Sequence, residues 1–235
     1  MNAYSVTHSL VDSTESVLGL LEIIQTLPSD VPSLFLDLEG HVYLVDVHAL
    51  QSSAFSTTTG DGTTLKTILE SPTIIKVFFD VRNDSDALFH HFAVNLRGVE
   101  DVQLMENAAR PGRRCFVMGL EKCIDTYAQL SPSEKLRWKA VKEAGLKLCH
   151  PKKGGSYEVF NDRPIQALIE TYCINDVQHL PQLREKFWRS LNNAWREEVR
   201  VETRKRVWES QSKSYEPQSE KKKFGPWESG PTMVF

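Results

Sequence analysis

Two acidic residues, Asp37 and Glu39, stand one residue apart inside the apolar run FLDLEGHVYLV at residues 35–45. Negative charge in such a segment is costly unless a partner compensates it. In a β-strand the side chains at i and i+2 point to the same face, so these two carboxylates would share one face. Two like charges at close range favour a cation between them. A strand that simply ends in solvent gives the same pattern, so the pair alone leaves both interpretations open.

Tyr172 and Asp176, in ETYCINDVQHL, form a second candidate pair. Residues at i and i+4 are neighbours on a helix surface, so the phenol and the carboxylate would share a face. Asp101, in GVEDVQL, follows a predicted strand and begins a predicted helix. An aspartate at that point also fits the ordinary role of a helix N-cap. Each pattern is weak evidence by itself.

The segments that carry these residues alternate between predicted strands and helices. Short apolar runs predict strands at 33–38, 42–47 and 73–79, and ESVLGLLEIIQTL before them predicts an amphipathic helix. Later helices are predicted where a capping side chain precedes an apolar stripe, at Asn83 or Asp84, at Ser131 and at Asp162. This order favours an α/β domain.

The C-terminal part of the chain has a different character. Residues 182–210 predict one long, highly charged helix, and the Pro-, Ser- and Lys-rich stretch after it is typical of a disordered tail. We therefore expect a domain over residues 1–195, with its core motifs within 32–187, and an extension over 196–235. The extension is a candidate element for binding a protein partner.

Composition sets limits on the class of protein. The chain has 235 residues, of which 40% are hydrophobic, and a formal net charge of -3, so it does not resemble a strongly basic nucleic-acid binder. No apolar run approaches the about 20 residues that a membrane span needs. Four scattered cysteines and an N-terminus without signal-peptide features favour an intracellular protein of the nucleus or cytoplasm, with reduced thiols and no zinc site.

Taken together, the motifs resemble those of the DEDDy branch of 3'-5' exonucleases, the RNase D and Werner-like exonuclease family. LFLDLEG is similar to the first exonuclease motif of that family, GVEDVQL to the second and YCINDVQHLPQL to the third, and the three occur in the family's order. The resemblance covers about residues 32–187. It implies an RNase H-like three-layer α/β fold with a mixed central sheet.

The resemblance also implies a function. It predicts a hydrolase that uses two Mg²⁺ or Mn²⁺ ions to release nucleoside 5'-monophosphates from the 3' end of RNA or DNA, with single-stranded or 3'-ended nucleic acid as the partner. By this similarity Asp37, Glu39, Asp101 and Asp176 are metal ligands, and Tyr172 positions the attacking water. Two divalent cations held by hard oxygen ligands suit phosphodiester hydrolysis.

One feature of the family is missing from the sequence. DLEG runs directly into HVYLVDV, which looks like the third strand, so a segment long enough to hold the second strand is absent. The first strand then needs another partner or a cover, because unpaired backbone groups are unfavourable. A tight hairpin through Glu39 is a further possibility. The alternative function is therefore a catalytically impaired module that binds nucleic acid or acts as a scaffold.

Overall fold

The computed structural model describes residues 7–28, 32, 34–35 and 41–227. The described strands are β1 (Thr7–Val11), β2 (Leu34–Phe35), β3 (His41–Val45), β4 (Lys76–Phe78) and β5 (Val99–Asp101). The described helices are α1 (Thr14–Thr26), α2 (Val47–Leu50), α3 (Ser53–Ser56), α4 (Leu65–Glu70), α5 (Arg82–Phe92), α6 (Val102–Ala109), α7 (Leu120–Tyr127), α8 (Pro132–Cys149), α9 (Ala167–Val177), α10 (Leu180–Ser190) and α11 (Asn193–Ser210). Short 3-10 turns lie at Pro151–Lys153, Tyr157–Phe160 and Glu220–Lys223.

The described strands form two separate sheets. β1 pairs with β3 from Thr7 opposite His41 to Val11 opposite Val45, and β2, β4 and β5 form the second sheet in that order. Each of these pairs is parallel, whereas the sequence predicted a mixed sheet. The predicted antiparallel pairing belonged to the second strand that the sequence lacks. The strand β1, which was not predicted, gives β3 a partner.

Helices cover both faces of the β2–β4–β5 sheet, and this confirms the predicted three-layer α/β architecture. Side chains alternate along β4. Val77 packs into one core with residues of α6, α7, α8, α10 and α11, whereas Phe78 packs into another with residues of α1, α3 and α4. The central strand is therefore buried on both sides, as its apolar sequence predicted.

A cleft of about 660 Å³ opens between the two sheets. Leu34 and Phe35 of β2 line it, as do residues 42–45 of β3. Side chains of α1, α4, α5 and α9 complete its walls. β2 and β3 correspond to the predicted first and third strands, so the cleft separates the two strands that a second strand would have joined.

Local signals predicted some helices well and others poorly. The capping box of Ser131 and Glu134 begins α8 as expected. The predicted single helix over 182–210 is wrong: α10 ends at Ser190, and Asn192 caps α11 by accepting a hydrogen bond from the Trp195 amide at 2.9 Å. α5 begins after Val81 without a side-chain cap. α9 begins at Ala167, later than the cap predicted at Asp162.

The C-terminal extension packs against the domain up to Trp227. α11 contacts α5, α6 and β5, and residues 212–227, which we call the strap, continue across the N-terminus of α5. The structure thus places 211–227 in fixed contacts where the sequence predicted a disordered tail. Within the described residues, none of the helices has the length and apolar character needed to cross a membrane.

Lys76 in β4 makes the stability of the fold pH-dependent. It is fully buried, and its ammonium donates hydrogen bonds to the carbonyls of Ile68 at 3.1 Å and Ser71 at 2.6 Å. Burial lowers its pKa from 10.5 to about 8. Between these pH values the unfolded chain binds more protons, so the free energy of unfolding should rise with pH. Urea titrations should show that rise in the wild type and a flatter profile in Lys76→Met. An equal rise in both proteins would show that Lys76 does not cause the pH dependence of the free energy of unfolding.

Candidate active site

The candidate site lies at the edge of the sheet where β2, β4 and β5 end. The three strands are parallel, so their carboxyl ends meet there. β4 leads at this edge into a turn with Asp80 and then into α5, and β5 ends at Asp101. Asp37 and Glu39 lie outside the described residues, in the segment that β2 enters from the same edge. Among the described residues, this edge therefore brings together Asp80, which follows β4, and Asp101 of β5.

Asp101 is fully buried and its carboxylate is already saturated with donors. One oxygen accepts hydrogen bonds from the amides of Asp80 and Gln103, both at 3.0 Å. The other accepts from the Val81 amide at 3.3 Å and from Arg206 of α11 at 2.8 Å. Asp101 is thus a helix cap and an ion-pair partner, and these surroundings differ from those expected of a metal ligand. Its predicted role as a ligand remains a prediction.

Asp80 and two arginines extend this network. Asp80 has φ of +62°, an uncommon conformation for a residue other than glycine. Arg82 donates to both of its carboxylate oxygens, at 2.6 and 2.8 Å, and Arg206 lies 3.6 Å from one of them. Burial alone would raise the pKa of Asp80, but the arginines outweigh it and hold that pKa below its usual value. The turn between β4 and α5 is therefore fixed by charge.

Of Asp80, Asp84 and Asp101, which the structure describes at this edge, Asp84 is the exposed one. It lies in the first turn of α5, is exposed to solvent and lines the cleft. Protein nevertheless surrounds it on most sides, and this desolvation raises its pKa to about 6, with further increases from Asp80 and Asp101. A perturbed carboxyl group in a cleft is a candidate functional residue.

From the sequence, Asp84 is a candidate helix cap and is not distinguished as a site residue. The available signal was the order of the elements. Asp84 follows β4, and β4 is the parallel neighbour of the strand that leads into Asp37 and Glu39. Because parallel neighbours end at the same edge of a sheet, an acidic residue just after the third predicted strand is as good a candidate for the functional site as Asp101.

Tyr172 and Asp176 share one face of α9, as their spacing predicted. A lysine of α8 joins them: the Lys142 ammonium forms an ion pair with Asp176, lies 3.3 Å from the Tyr172 hydroxyl and sits over its ring. Burial raises the pKa of Asp176, and Lys142 opposes that rise. Gly145 permits this close packing, because a Cβ there would lie 2.3 Å from the Tyr172 ring. Lys142 had no distinguishing signal in the sequence.

The carboxylate oxygens of this region are the type of ligand that suits a hard divalent cation. Asp84 lines the cleft, and residues 173 and 177 of α9, the helix that carries Asp176, line it as well. Carboxylate oxygens are the ligands that Mg²⁺ and Mn²⁺ prefer. Across residues 7–28, 32, 34–35 and 41–227, no three His, Cys, Asp or Glu side chains converge closely enough to hold a metal.

A family comparison identifies the domain. The model of a 3'-5' exonuclease family matches residues 31–192, which is more than half of the chain. The chain belongs to the 3'-5' exonuclease family. This confirms the resemblance found in the motifs and places the chain among hydrolases of phosphodiester bonds. The matched range ends before α11, so α11 and the strap lie outside it.

Solved structures show the same exonuclease fold. RNase D of Trypanosoma brucei in complex with GMP aligns with a TM-score of 0.66 and 21% identity, covering 89% of this chain and 65% of that one. The catalytic core of RRP6 from the same organism aligns with a TM-score of 0.61 and 15% identity, covering 88% of this chain and 53% of that one. Escherichia coli RNase D aligns with a TM-score of 0.58 and 16% identity, covering 88% of this chain and 51% of that one. This exonuclease chain thus spans less than two thirds of each of these proteins. No curated protein matches its sequence significantly.

Proposed function

We propose that this chain is a metal-dependent 3'-5' exonuclease that removes nucleotides from the 3' end of RNA as nucleoside 5'-monophosphates. Membership of the family supports the bond that is cut and the direction of attack. RNA is favoured over DNA because a T. brucei RNase D structure contains a U12 RNA, and E. coli RNase D is an exoribonuclease involved in structured RNA processing.

The exposed carboxylate of Asp84 in the cleft is the main support for this proposal. Its carboxylate is open to the cleft, whereas Asp101 is enclosed. It stands at the sheet edge from which β2 leads toward Asp37 and Glu39. We propose that Asp37, Glu39, Asp84 and Asp176 hold two Mg²⁺ or Mn²⁺ ions, with Asp84 in the place first predicted for Asp101. Such ions lower the pKa of an attacking water and stabilise charge on the leaving 3' oxygen.

The surrounding side chains have separate tasks in this proposal. Desolvation and the nearby Asp176 raise the pKa of Tyr172, so its phenol stays protonated and orients a water by hydrogen bonding. Asp101 and Arg206 fix the edge of the sheet on which Asp84 stands. Lys142 neutralises Asp176 when no metal is bound.

Lys142→Met should change the response of the protein to metal. Without metal, the variant should melt at a lower temperature, because the half-buried Asp176 loses its partner. With Mn²⁺, its melting temperature should rise more than that of the wild type, because the ion no longer competes with an ammonium. Lys139→Met, which removes an exposed ion pair with Asp125, is the matched control. Equal Mn²⁺ shifts in all three proteins would exclude Lys142 as a competitor.

Labelled oligonucleotides test the activity itself. Single-stranded RNA and DNA of one sequence, labelled at either the 5' or the 3' end, are incubated with the full chain and either Mn²⁺ or EDTA. We expect a ladder of shortened 5'-labelled RNA, immediate release of the 3' label, slower cutting of DNA and no cutting in EDTA. Intact RNA with folded protein would favour the alternative of a module that binds without cutting.

We also propose an intracellular location, in the nucleus or cytoplasm. Cys115, Cys123, Cys149 and Cys173 are all free thiols, which supports a reducing compartment. Binding of a protein partner through the C-terminal extension stays a prediction. α11 is itself packed against the domain, so its buried face is already occupied.

A further inference from the structure

Two phenylalanine rings lie together on the surface, outside the site described above. Phe116 and Phe224 are each 51% exposed, and their rings stack with centroids 5.4 Å apart and planes inclined by 30°. They face each other across a short antiparallel bridge, in which the Val117 amide donates to the Lys223 carbonyl at 3.0 Å. Exposing two large apolar side chains side by side is unfavourable unless something covers them.

The bridge beneath the rings is rigidly supported. The buried amide of Asn107 donates to the carbonyls of Arg114 and Phe116, both at 3.0 Å. Gly225 allows the strap to approach this loop, because a Cβ there would lie 2.1 Å from the Arg114 carbonyl oxygen. Beyond it, Trp227 packs edge-on against Trp195 at 5.2 Å. The rings are therefore held in place before any ligand arrives, which reduces the entropic cost of binding.

The surroundings of the rings are basic although the whole chain is acidic. Residues 110–116 and 220–224 contain six Lys or Arg and one Glu; Arg110 pairs with Glu106 of α6 and Lys223 with Glu220, and the other four cations exceed the acidic residues there. Arg113, Lys221 and Lys223 are exposed, and the Lys223 ammonium lies 5.7 Å from the Phe224 ring centroid. Cationic side chains around flat apolar rings complement a ligand that combines phosphates with bases.

The strap also joins this patch to Asp84. Arg82 at the start of α5 donates to the Lys222 carbonyl at 3.0 Å, and Tyr215 donates to Asn83 at 2.7 Å. The Lys222 ammonium donates to the side chain of Asn83, the residue before Asp84. Phe224 follows Lys222 by two residues, at most about 7 Å of chain, so the rings lie close to the point where the strap contacts the first turn of α5.

We propose that Phe116 and Phe224, with the lysines and arginines around them, form a stacking platform for the single-stranded RNA that leads to the active site. Bases of any sequence present a flat face to such rings, and the basic side chains bind the phosphates. This inference rests on the proposed function for the direction of the bound strand, whose 3' end lies at the active site. Binding of RNA to the platform is measured without turnover.

Fluorescence anisotropy with a 5'-fluorescein 12-nucleotide uridine RNA tests the platform. All titrations contain EDTA, so a failure of catalysis does not affect them. We expect Phe116→Ala/Phe224→Ala to raise the Kd about tenfold or more, and Phe224→Trp to retain affinity, because stacking contributes about 1–3 kcal/mol per base. Trp208→Ala, which removes an aromatic side chain 74% exposed on α11, is the control and should leave the Kd unchanged.

Oligonucleotides with abasic sites separate stacking from general charge. Moving two adjacent abasic sites along the RNA should weaken binding to the wild type at one position. At that position the same change should have little effect on the double alanine variant. The proposal is overturned if the wild type does not bind RNA, or if the variant binds it as tightly as the wild type, which would leave the rings to another class of ligand such as a protein.

Discussion

Asp84→Asn is expected to lower the rate of RNA shortening more than about 100-fold, because loss of an outer-shell partner of a metal ligand alone costs about 10- to 100-fold. The substitution is nearly isosteric and the side chain is exposed, so the melting temperature should change little. The variant therefore differs from the wild type mainly in lacking the negative charge at position 84. Rates are measured with 5'-labelled RNA and Mn²⁺ under single-turnover conditions.

Asp86→Asn is the matched control for this variant. Asp86 lies in the same helix two residues later, where its carboxylate pairs with His90 at 3.6 Å. We expect it to shorten RNA at the wild-type rate. Equal rates in Asp84→Asn and Asp86→Asn would show that Asp84 takes no part in the reaction.

Arg206→Met is expected to destabilise the fold by about 3–5 kcal/mol, because it leaves the buried Asp101 carboxylate without a compensating charge. Asp101→Asn should act similarly, since it leaves Arg206 without this partner. The double variant Asp101→Asn/Arg206→Met should recover part of the loss, because neither charge then remains unpaired. Urea unfolding of the four proteins measures these effects.

Arg204→Met provides the comparison on the same helix. Arg204 forms an exposed contact with Glu197 at 3.4 Å, and exposed pairs contribute about 0–1 kcal/mol. We expect little change in its unfolding midpoint. If Arg206→Met is as stable as Arg204→Met, the ion pair with Asp101 does not hold the sheet edge together.

The sequence predicted features that depend on neighbouring residues. Ser131 and Glu134 satisfy each other within one helical turn, and Tyr172 and Asp176 share a face because of helical geometry alone. The apolar segment around Val77 was predicted as a strand buried on both sides, and it is one. The order of such segments predicted an α/β domain, the order of the three motifs pointed to the family, and the three-layer fold was implied by that resemblance.

Features that depend on distant residues could not be predicted in the same way. Asp101 is enclosed by an arginine 105 positions later, and Asp176 is paired with a lysine 34 positions earlier. The strap has the composition of a disordered segment, yet contacts of Lys222, Phe224 and Trp227 with remote parts of the chain fix it. Composition reports on local preference and contains no information about such partners.

The release of uridine 5'-monophosphate from a 12-nucleotide uridine RNA would show whether this chain is a metal-dependent 3'-5' exonuclease that uses Asp84. Chromatography should detect the mononucleotide with the wild-type chain and Mn²⁺, at a rate that Asp84→Asn abolishes and EDTA suppresses. If the wild-type chain binds the RNA but releases no mononucleotide, it is not an exonuclease, and if Asp84→Asn releases it at the wild-type rate, Asp84 is not part of the active site.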